Sequence, residues 1–461
     1  MILPLLLAAT PAAAPPAKKP EPVLRPQAVE ALPGQLDGVL LVNDNNPELI
    51  SGPGILLSTF PKGTSASGSA HLDVALNGRF DLFSHHVYAG KPESLESTLW
   101  LAVLAEPRGP QPVTLTLLAG STALSQATDS IQPQAPFLPL PELMRQDGST
   151  YAGPGSRVAT ELLLRQRNPV LPNRWTLQPG EASTLVLLPL PVRGLDPLLN
   201  GRNLQLRLQS DGPVSLATLA AFGENDQPPN AAALQAMLRS GVLSPKEHEP
   251  TPRVASGRMV YSRVSGVQLG STWSSTITDP KSGCLSTSRA PISWPIAALE
   301  RGRLGTGQVQ TAELKAYYPG TAWAAHGNYG VAYDISIPLC NRSKQPVALN
   351  VALETPLKTD LPIGGLRFNT KPGAAVMFRG TVELSGLDGS PGRQSFHLVQ
   401  RSGQQGPNLG SISLAPGGQR QLRVRLIYPA DATPPQVLSL LPQAPEAPVK
   451  QSPAPPASLQ P

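Results

Sequence analysis

LWLAVLA at residues 99–105 and PVTLTL at residues 112–117 decide the expected fold, because a similar pair, YDISIPL and PVALNV, recurs at residues 333–339 and 346–351. The two pairs lie 234 residues apart. In each pair, apolar residues alternate with other residues along two short runs that a polar stretch separates. A period of two is typical of half-buried β-strands, and the polar stretches predict that each pair is a β-hairpin.

A second recurrence has almost the same offset. LQPG at residues 177–180 and LAPG at residues 414–417 lie 237 residues apart, and alternating apolar residues follow both. Two recurrences with nearly equal offsets indicate an internal duplication. The sequence therefore predicts an all-β protein of two tandem β-sandwich-like modules, at residues 35–222 and 253–428.

Length and composition agree with this division. The chain has 461 residues, with 54 Pro and 41 Gly, which suits two domains built from short strands and many turns. Between the modules, residues 223–252 are expected to be a linker with one short helix. Asn230 is its predicted N-cap, residues 231–239 its body and Gly241 its stop.

The two ends of the chain are rich in proline and alanine. Residues 1–14 (MILPLLLAATPAAA) form a short apolar run followed by small residues, as in a secretory signal, although no basic residue precedes the run. We expect residues 1–34 to be a signal peptide and linker, with a flexible tail as the alternative. Residues 429–461 are expected to be a disordered tail. No later stretch has the length of a membrane helix, so the mature chain is expected to have no transmembrane segment.

The chain has two cysteines, Cys284 and Cys340. In an exported protein they are expected to form a disulfide, and the alternative is two buried free thiols. The net charge is +6, but the basic residues are spread along strands, as Arg423 and Arg425 are. Alternation places such residues on one solvated sheet face. No basic cluster with aromatic partners is visible, which argues against nucleic-acid binding.

Three histidines, His71, His85 and His86, are the candidate metal ligands, since imidazole binds zinc and transfers protons. Neighbouring residues of a strand point to opposite faces, so His85 and His86 can share an ion only at a bulge or turn. The alternative is that these histidines are structural.

Aromatic residues are dense in the second half of the chain. If several lie on one open face, they form a stacking platform for sugar rings, and otherwise they fill the core. The candidate ligand-binding residues of such a platform are Trp273, Trp294, Trp323, Tyr317 and Tyr318.

No segment carries a recognised catalytic signature, so no catalytic residue and no cofactor are predicted. A carbohydrate-active hydrolase is the second hypothesis, with two carboxylates facing each other across a cleft between the modules. Asp73, Asp81 and Asp334 are the carboxylates to inspect for that role. A metal-binding accessory protein is the third hypothesis.

Several segments together resemble a family of exported cyanobacterial proteins that is catalogued only as a domain of unknown function. They are LPGQLD (residues 32–37), GILLSTFP (54–61), GRFDLFSHH (78–86), GTGQVQ (305–310) and HGNYGV (326–331). The resemblance implies export and a place in a cyanobacterial envelope. Because that family has no known activity, it implies no catalytic residue.

These observations together predict a non-enzymatic protein of the periplasm or cell surface. Its expected partners are an envelope polysaccharide, peptidoglycan or another envelope protein.

Overall fold

The computed structural model describes residues 22–90, 98–127, 131–253, 255, 257, 259–390 and 392–443, without the side chains of residues 46–48 and 225. These residues form 25 β-strands and two α-helices, which confirms the all-β class. In chain order the elements are β1 (Pro22–Pro26), β2 (Ala28–Val29), β3 (Gln35–Leu36), β4 (Leu40–Leu49), β5 (Gly54–Ser58), β6 (Leu76–Ala89), β7 (Thr98–Pro107), β8 (Val113–Leu124), β9 (Leu143–Arg145), α1 (Pro154–Leu163), β10 (Arg174–Leu177), β11 (Ser183–Pro191), β12 (Leu199–Phe222), α2 (Ala231–Ser240), β13 (Val264–Leu269), β14 (Thr272–Thr276), β15 (Leu285–Ser286), β16 (Ile292–Ile296), β17 (Leu314–Tyr317), β18 (Ala332–Cys340), β19 (Val347–Glu354), β20 (Gly365–Asn369), β21 (Val376–Ser385), β22 (Gln394–Arg401), β23 (Gly410–Leu414), β24 (Gln419–Ile427) and β25 (Gln436–Pro442).

Three sheets contain all of these strands except β1 and β20, which pair with each other. Sheet I has ten strands, in the order β10-β8-β12-β6-β4-β13-β17, with β5, β7 and β11 joined to it. Sheet II has eight, in the order β3-β14-β18-β24-β21-β22-β9, with β15 beside β18. Sheet III is β2-β16-β25-β19-β23. Sheets II and III share one hydrophobic core, and sheet I encloses a second.

Strand β12 organises sheet I. Its first half pairs with β6 and β8, and its second half pairs with β5 and β7. The register shifts between Ser210 and Val214, where the sequence has Gly212 and Pro213. Proline cannot donate a ladder hydrogen bond, so the strand changes partners at that point.

The predicted strands exist, but the predicted hairpins are wrong. Strand β7 pairs with β11 and β8 with β10, while in the second copy β18 pairs with β24 and β19 with β23. One pair has the same register in both copies, since Val113 faces Leu177 as Val347 faces Leu414, whereas β7 and β11 have a register shift between Thr184 and Val186 that β18 and β24 lack. What recurs is therefore a four-strand unit. Alternation marks a strand but does not specify its partner, which lies more than 60 residues away in each case.

The division into two tandem sandwiches is not confirmed, because strands cross the expected boundaries. Strands β13 and β17, from the second expected module, extend sheet I beyond β4. Strands β3 and β9, from the first, join sheet II at β14 and β22.

Both termini are more ordered than expected. Strand β25 lies between β16 and β19 in sheet III and buries Leu438 and Leu440, so residues 436–442 are not a disordered tail. Strand β1 pairs with β20, and Leu32 is buried in the core, so residues 22–34 are not a free linker. The apolar leader segment at residues 1–14 and the end of the tail, from residue 444, lie outside the described residues.

Two local predictions are confirmed. Helix α2 begins after Asn230, whose side chain accepts a hydrogen bond from Ala233 N, and it stops at Gly241 in the left-handed conformation. Cys284 and Cys340 form a disulfide across 56 residues. In the described part of the chain, no helix is both long and apolar enough to span a bilayer.

Candidate arginine groove between sheets I and II

A cleft with a volume of about 480 Å³ lies between sheets I and II. Strands β6, β8 and β12 line it from sheet I, strands β14, β18 and β24 from sheet II, and the chain after helix α1 closes one end. Two further cavities of about 240 and 430 Å³ adjoin it along sheet II. Asp334 lines all three cavities, and Arg423 and Arg425 each line two. We call the three cavities together the arginine groove.

Seven arginines line the two cavities nearest to helix α1, and no lysine does. The planar guanidinium group presents a fork of donors that matches carboxylate and sulfate oxygens, whereas an ammonium group acts as a point charge. The seven are Arg79, Arg165, Arg167, Arg207, Arg393, Arg423 and Arg425.

Arg79 and Arg207 form the floor of the groove, and both face the buried carboxylate of Asp81. Arg79 donates hydrogen bonds to Asp81 from Nε at 3.0 Å and from Nη2 at 2.8 Å. Arg207 Nε lies 3.6 Å from Asp81 Oδ2. The negative charge of Asp37, further away, also favours the charged form of Arg207. Burial raises the pKa of Asp81 and both arginines oppose that shift.

Two ion pairs lie on the sheet II side of the groove. Arg423 Nε donates to Asp334 Oδ1 at 2.7 Å, and Arg423 Nη2 donates to the other oxygen of the same carboxylate at 2.5 Å. This hydrogen-bonded pairing raises the pKa of Arg423. Arg425 Nη1 donates to Glu383 Oε1 at 2.8 Å. The alternation along β24 that suggested a solvated face thus places both guanidinium groups at the groove, each next to an acid from a neighbouring strand.

Arg165 and Arg167 lie in the turn that ends helix α1. Arg165 adopts the left-handed conformation (φ 57°), and Gln166 N donates to Glu161 O at 2.8 Å, which closes the helix. The turn is anchored below by Asn168, whose Nδ2 donates to the buried Glu161 carboxylate at 3.0 Å. Both arginine side chains are exposed. The hydrogen bonds that fix the turn are made by backbone groups and by other side chains.

The charges of the groove do not cancel. Seven arginines stand beside four carboxylates, which are Asp37, Asp81, Asp334 and Glu383. The side chains of Arg165, Arg167 and Arg393 make no hydrogen bond or ion pair with any described residue. The groove can therefore attract an anion and offer it unused donors.

The sequence did not reveal this cluster, because the seven arginines come from five separate segments. Helix α1, which places two of them, was also missed. Pro154 at its first turn and apolar residues at 158, 159, 162 and 163 are the available signal for that helix.

The five aromatic residues do not form an open platform. Trp273, Trp294 and Tyr318 are buried. Trp273 donates from its indole to Pro33 O at 3.1 Å, and Tyr318 Oη donates to Ala70 O at 2.8 Å, so these rings are part of the core. Trp323 stacks under Arg253, and Tyr317 is 42% exposed.

The three histidines do not converge either. His71 hydrogen-bonds through Nδ1 to Ser58 Oγ at 2.7 Å, while His86 Nε2 lies 2.9 Å from Asp44 Oδ2 in the interior. Burial lowers the pKa of His85 to about 4. Among the residues that the structure describes, no group of three or more His, Cys, Asp or Glu could hold a metal ion.

Of the three carboxylates suggested for a hydrolase, only Asp334 lines the groove. Asp81 lies beneath the floor with a side chain that is 0% exposed, and Asp73 pairs with Arg108 outside the groove. The structure therefore does not bring the three together in one pocket.

Comparison with curated proteins gives no match. The sequence profile of a family described as "Protein of unknown function (DUF3370)" matches residues 27–442, which contain every strand of the three sheets. The match covers most of the chain, and the chain therefore belongs to this family of unknown function.

Proposed function

We propose that this protein is an exported, non-enzymatic component of the cell envelope that binds an envelope glycan in the arginine groove. The observation that carries the proposal is the groove itself, which lies between two sheets and is lined by seven arginines, three of which have no counter-charge among the described residues. A volume of about 480 Å³ for its main cavity is in the range typical of ligand sites.

Export is supported by two features. The apolar leader at residues 1–14 resembles a secretory signal, and the Cys284–Cys340 disulfide is of the kind that persists in oxidising compartments. The resemblance to exported proteins of cyanobacteria agrees with both.

A glycan suits the groove better than a nucleic acid does. Tyr333 is the only aromatic residue among the described residues that line the three cavities, and it is 1% exposed. Proteins that bind single-stranded nucleic acids stack the bases on exposed rings. Hydroxyl and amide side chains line the third cavity instead, as hydrogen-bonding partners for sugar hydroxyls: Ser274, Ser275, Thr276, Ser336 and Gln421.

The acids of the groove favour binding over hydrolysis. Asp334 and Glu383 line it, and each is hydrogen-bonded to an arginine. A glycosidase needs one protonated carboxyl group and a second carboxylate, both free to reach the scissile bond. The two groove acids do not match this arrangement.

The test is co-sedimentation of the purified full chain with isolated envelope polysaccharide and with peptidoglycan, at low and moderate salt. The supernatant is assayed for released sugar. We expect the protein to pellet with one of the two materials without releasing sugar. Release of sugar would support the hydrolase instead. No pelleting with either material at either salt concentration would contradict the proposal.

A further inference from the structure

The three cavities of the groove form one channel that ion pairs divide. Asp334 and Arg423, which pair with each other, line both the second and the third cavity, and Asp334 and Arg425 line both the first and the second. Arg423 is 53% exposed in its side chain, and Arg425 23%. Exposed ion pairs contribute little net stability, so the Arg423–Asp334 pair can open without disturbing the fold, whereas Glu383 is buried and keeps Arg425 as its partner.

A competing anion can take the place of Asp334 at Arg423. Arg423 gives two donors to Asp334 on β18, whereas Arg425 donates to Glu383 on β21 through Nη1 alone among the described residues, so its other donors remain for a ligand. A carboxylate or sulfate on a ligand offers the same oxygens, so the exchange conserves the charge-assisted hydrogen bonds. Arg165 and Arg167 in the first cavity and Arg393 in the second need no exchange, because their side chains have no partner among the described residues.

We propose that the ligand is a linear acidic polysaccharide that bears carboxylate or sulfate groups on successive sugars. It lies along the groove with one anionic group at Arg165 and Arg167, and further groups at Arg425, Arg423 and Arg393. This inference rests on the proposed function, since it names the class of glycan that the groove accepts. The hydroxyl side chains of the third cavity bind the uncharged parts of the sugars.

The probes are matched pairs that differ only in charge. Polygalacturonate is compared with its fully methyl-esterified form, and dextran sulfate with dextran. Affinity of the full chain is measured by calorimetry at several salt concentrations. We expect the acidic member of at least one pair to bind about tenfold or more tightly than its neutral counterpart, because each charge-assisted hydrogen bond that is lost weakens binding by about that factor. Binding should weaken as salt rises. The pair that responds distinguishes carboxylate from sulfate.

Two double variants locate the site. Arg165→Gln with Arg167→Gln should weaken binding of the acidic probe by about tenfold or more. Arg239→Gln with Lys315→Gln removes the same charge from exposed positions outside the groove and should bind as the wild type does. Since the side chains of Arg165 and Arg167 are exposed and have no partner in the part of the chain that the structure describes, their replacement should leave the fold intact, which circular dichroism checks.

The outcomes separate this inference from the proposed function. Equal binding of acidic and neutral probes, or equal losses in the two double variants, would overturn the acidic-ligand inference. If isolated envelope glycan still pelleted the protein, glycan binding would survive that result. Failure to pellet with any envelope glycan would contradict the proposed function itself. Tighter binding of the acidic probe, lost only in the groove variant, would support both.

Discussion

Arg207 Nε lies 3.6 Å from Asp81 Oδ2, an ion pair that is too long to be a hydrogen bond. The same carboxylate accepts the hydrogen bonds of Arg79, so one buried acid is the direct counter-charge of two guanidinium groups. Nε and Nη2 of Arg207 are buried without a hydrogen-bond partner among the described residues. The floor of the groove thus depends on Asp81 for its stability.

Replacing Asp81 by asparagine should destabilise the fold. Asp81→Asn removes the shared negative charge and leaves both floor arginines without it, which we expect to lower the free energy of unfolding by about 3 kcal/mol. Chemical denaturation measures the change. The matched control is Asp73→Asn, which removes an exposed carboxylate paired with Arg108 and should cost less than about 1 kcal/mol. Equal losses in the two variants would show that Asp81 has no special role.

The aromatic residues should affect stability and not glycan binding. Trp294 is 1% exposed in the shared core of sheets II and III, so Trp294→Ala should lower the free energy of unfolding by about 3–5 kcal/mol. Tyr317→Ala, at a 42% exposed position, should change it by less than about 0.5 kcal/mol. Both effects are measured by denaturation. If Tyr317→Ala abolished co-sedimentation with glycan, binding by aromatic stacking would be favoured over binding in the arginine groove.

The disulfide should contribute measurably to stability. It closes a loop of 56 residues between the segment before β15 and the end of β18. Replacing both cysteines, Cys284→Ser with Cys340→Ser, is expected to lower the free energy of unfolding by about 2–4 kcal/mol. The wild type in reductant should unfold at the same denaturant concentration as the double variant in oxidising buffer. A wild-type protein whose stability did not respond to reductant would contradict the prediction.

His397 should make the fold sensitive to acid. It is fully buried, Ser156 Oγ lies 3.1 Å from its Nε2, and burial, with help from Arg379, lowers its pKa to about 4. Because the folded pKa lies below the unfolded value of about 6.5, the unfolded chain binds the extra proton between these two values. The neutral ring therefore contributes to the free energy of unfolding above pH 6.5. This contribution, up to about 3 kcal/mol, is lost as the pH falls towards 4.

His397→Gln tests this dependence. Wild type and variant are denatured at several pH values between 4 and 7. The free energy of unfolding of the variant should fall less steeply on acidification, because the variant lacks the one proton that the His397 ring takes up on unfolding. Asp431 lies next to this site, where burial raises its pKa to about 7, and its own contribution has the opposite sign: it is lost as the pH rises through this range. Comparing the two proteins removes that contribution. Parallel pH profiles would contradict the assignment to His397.

Local patterns in the sequence determined several elements of this protein. Alternation identified the recurring strands, because the side-chain period of a strand follows from its backbone alone. Asn230 and Gly241 marked the ends of helix α2, since both act on hydrogen bonds within one turn of themselves. With two cysteines in the chain, a single intramolecular pairing was available to Cys284 and Cys340, and the disulfide was predicted from that count.

Only the tertiary structure decided which strands pair and what the pairing brings together. Strand β25 is a short apolar run inside a proline-rich stretch of sequence, and it becomes a central strand because it pairs with both β16 and β19. Arg79, Arg207 and Arg425 look like isolated charges on separate strands, and they meet because sheets I and II lie face to face at the groove. Pairing and packing are contacts between distant residues, so neither can be read from periods and caps that act within a few residues.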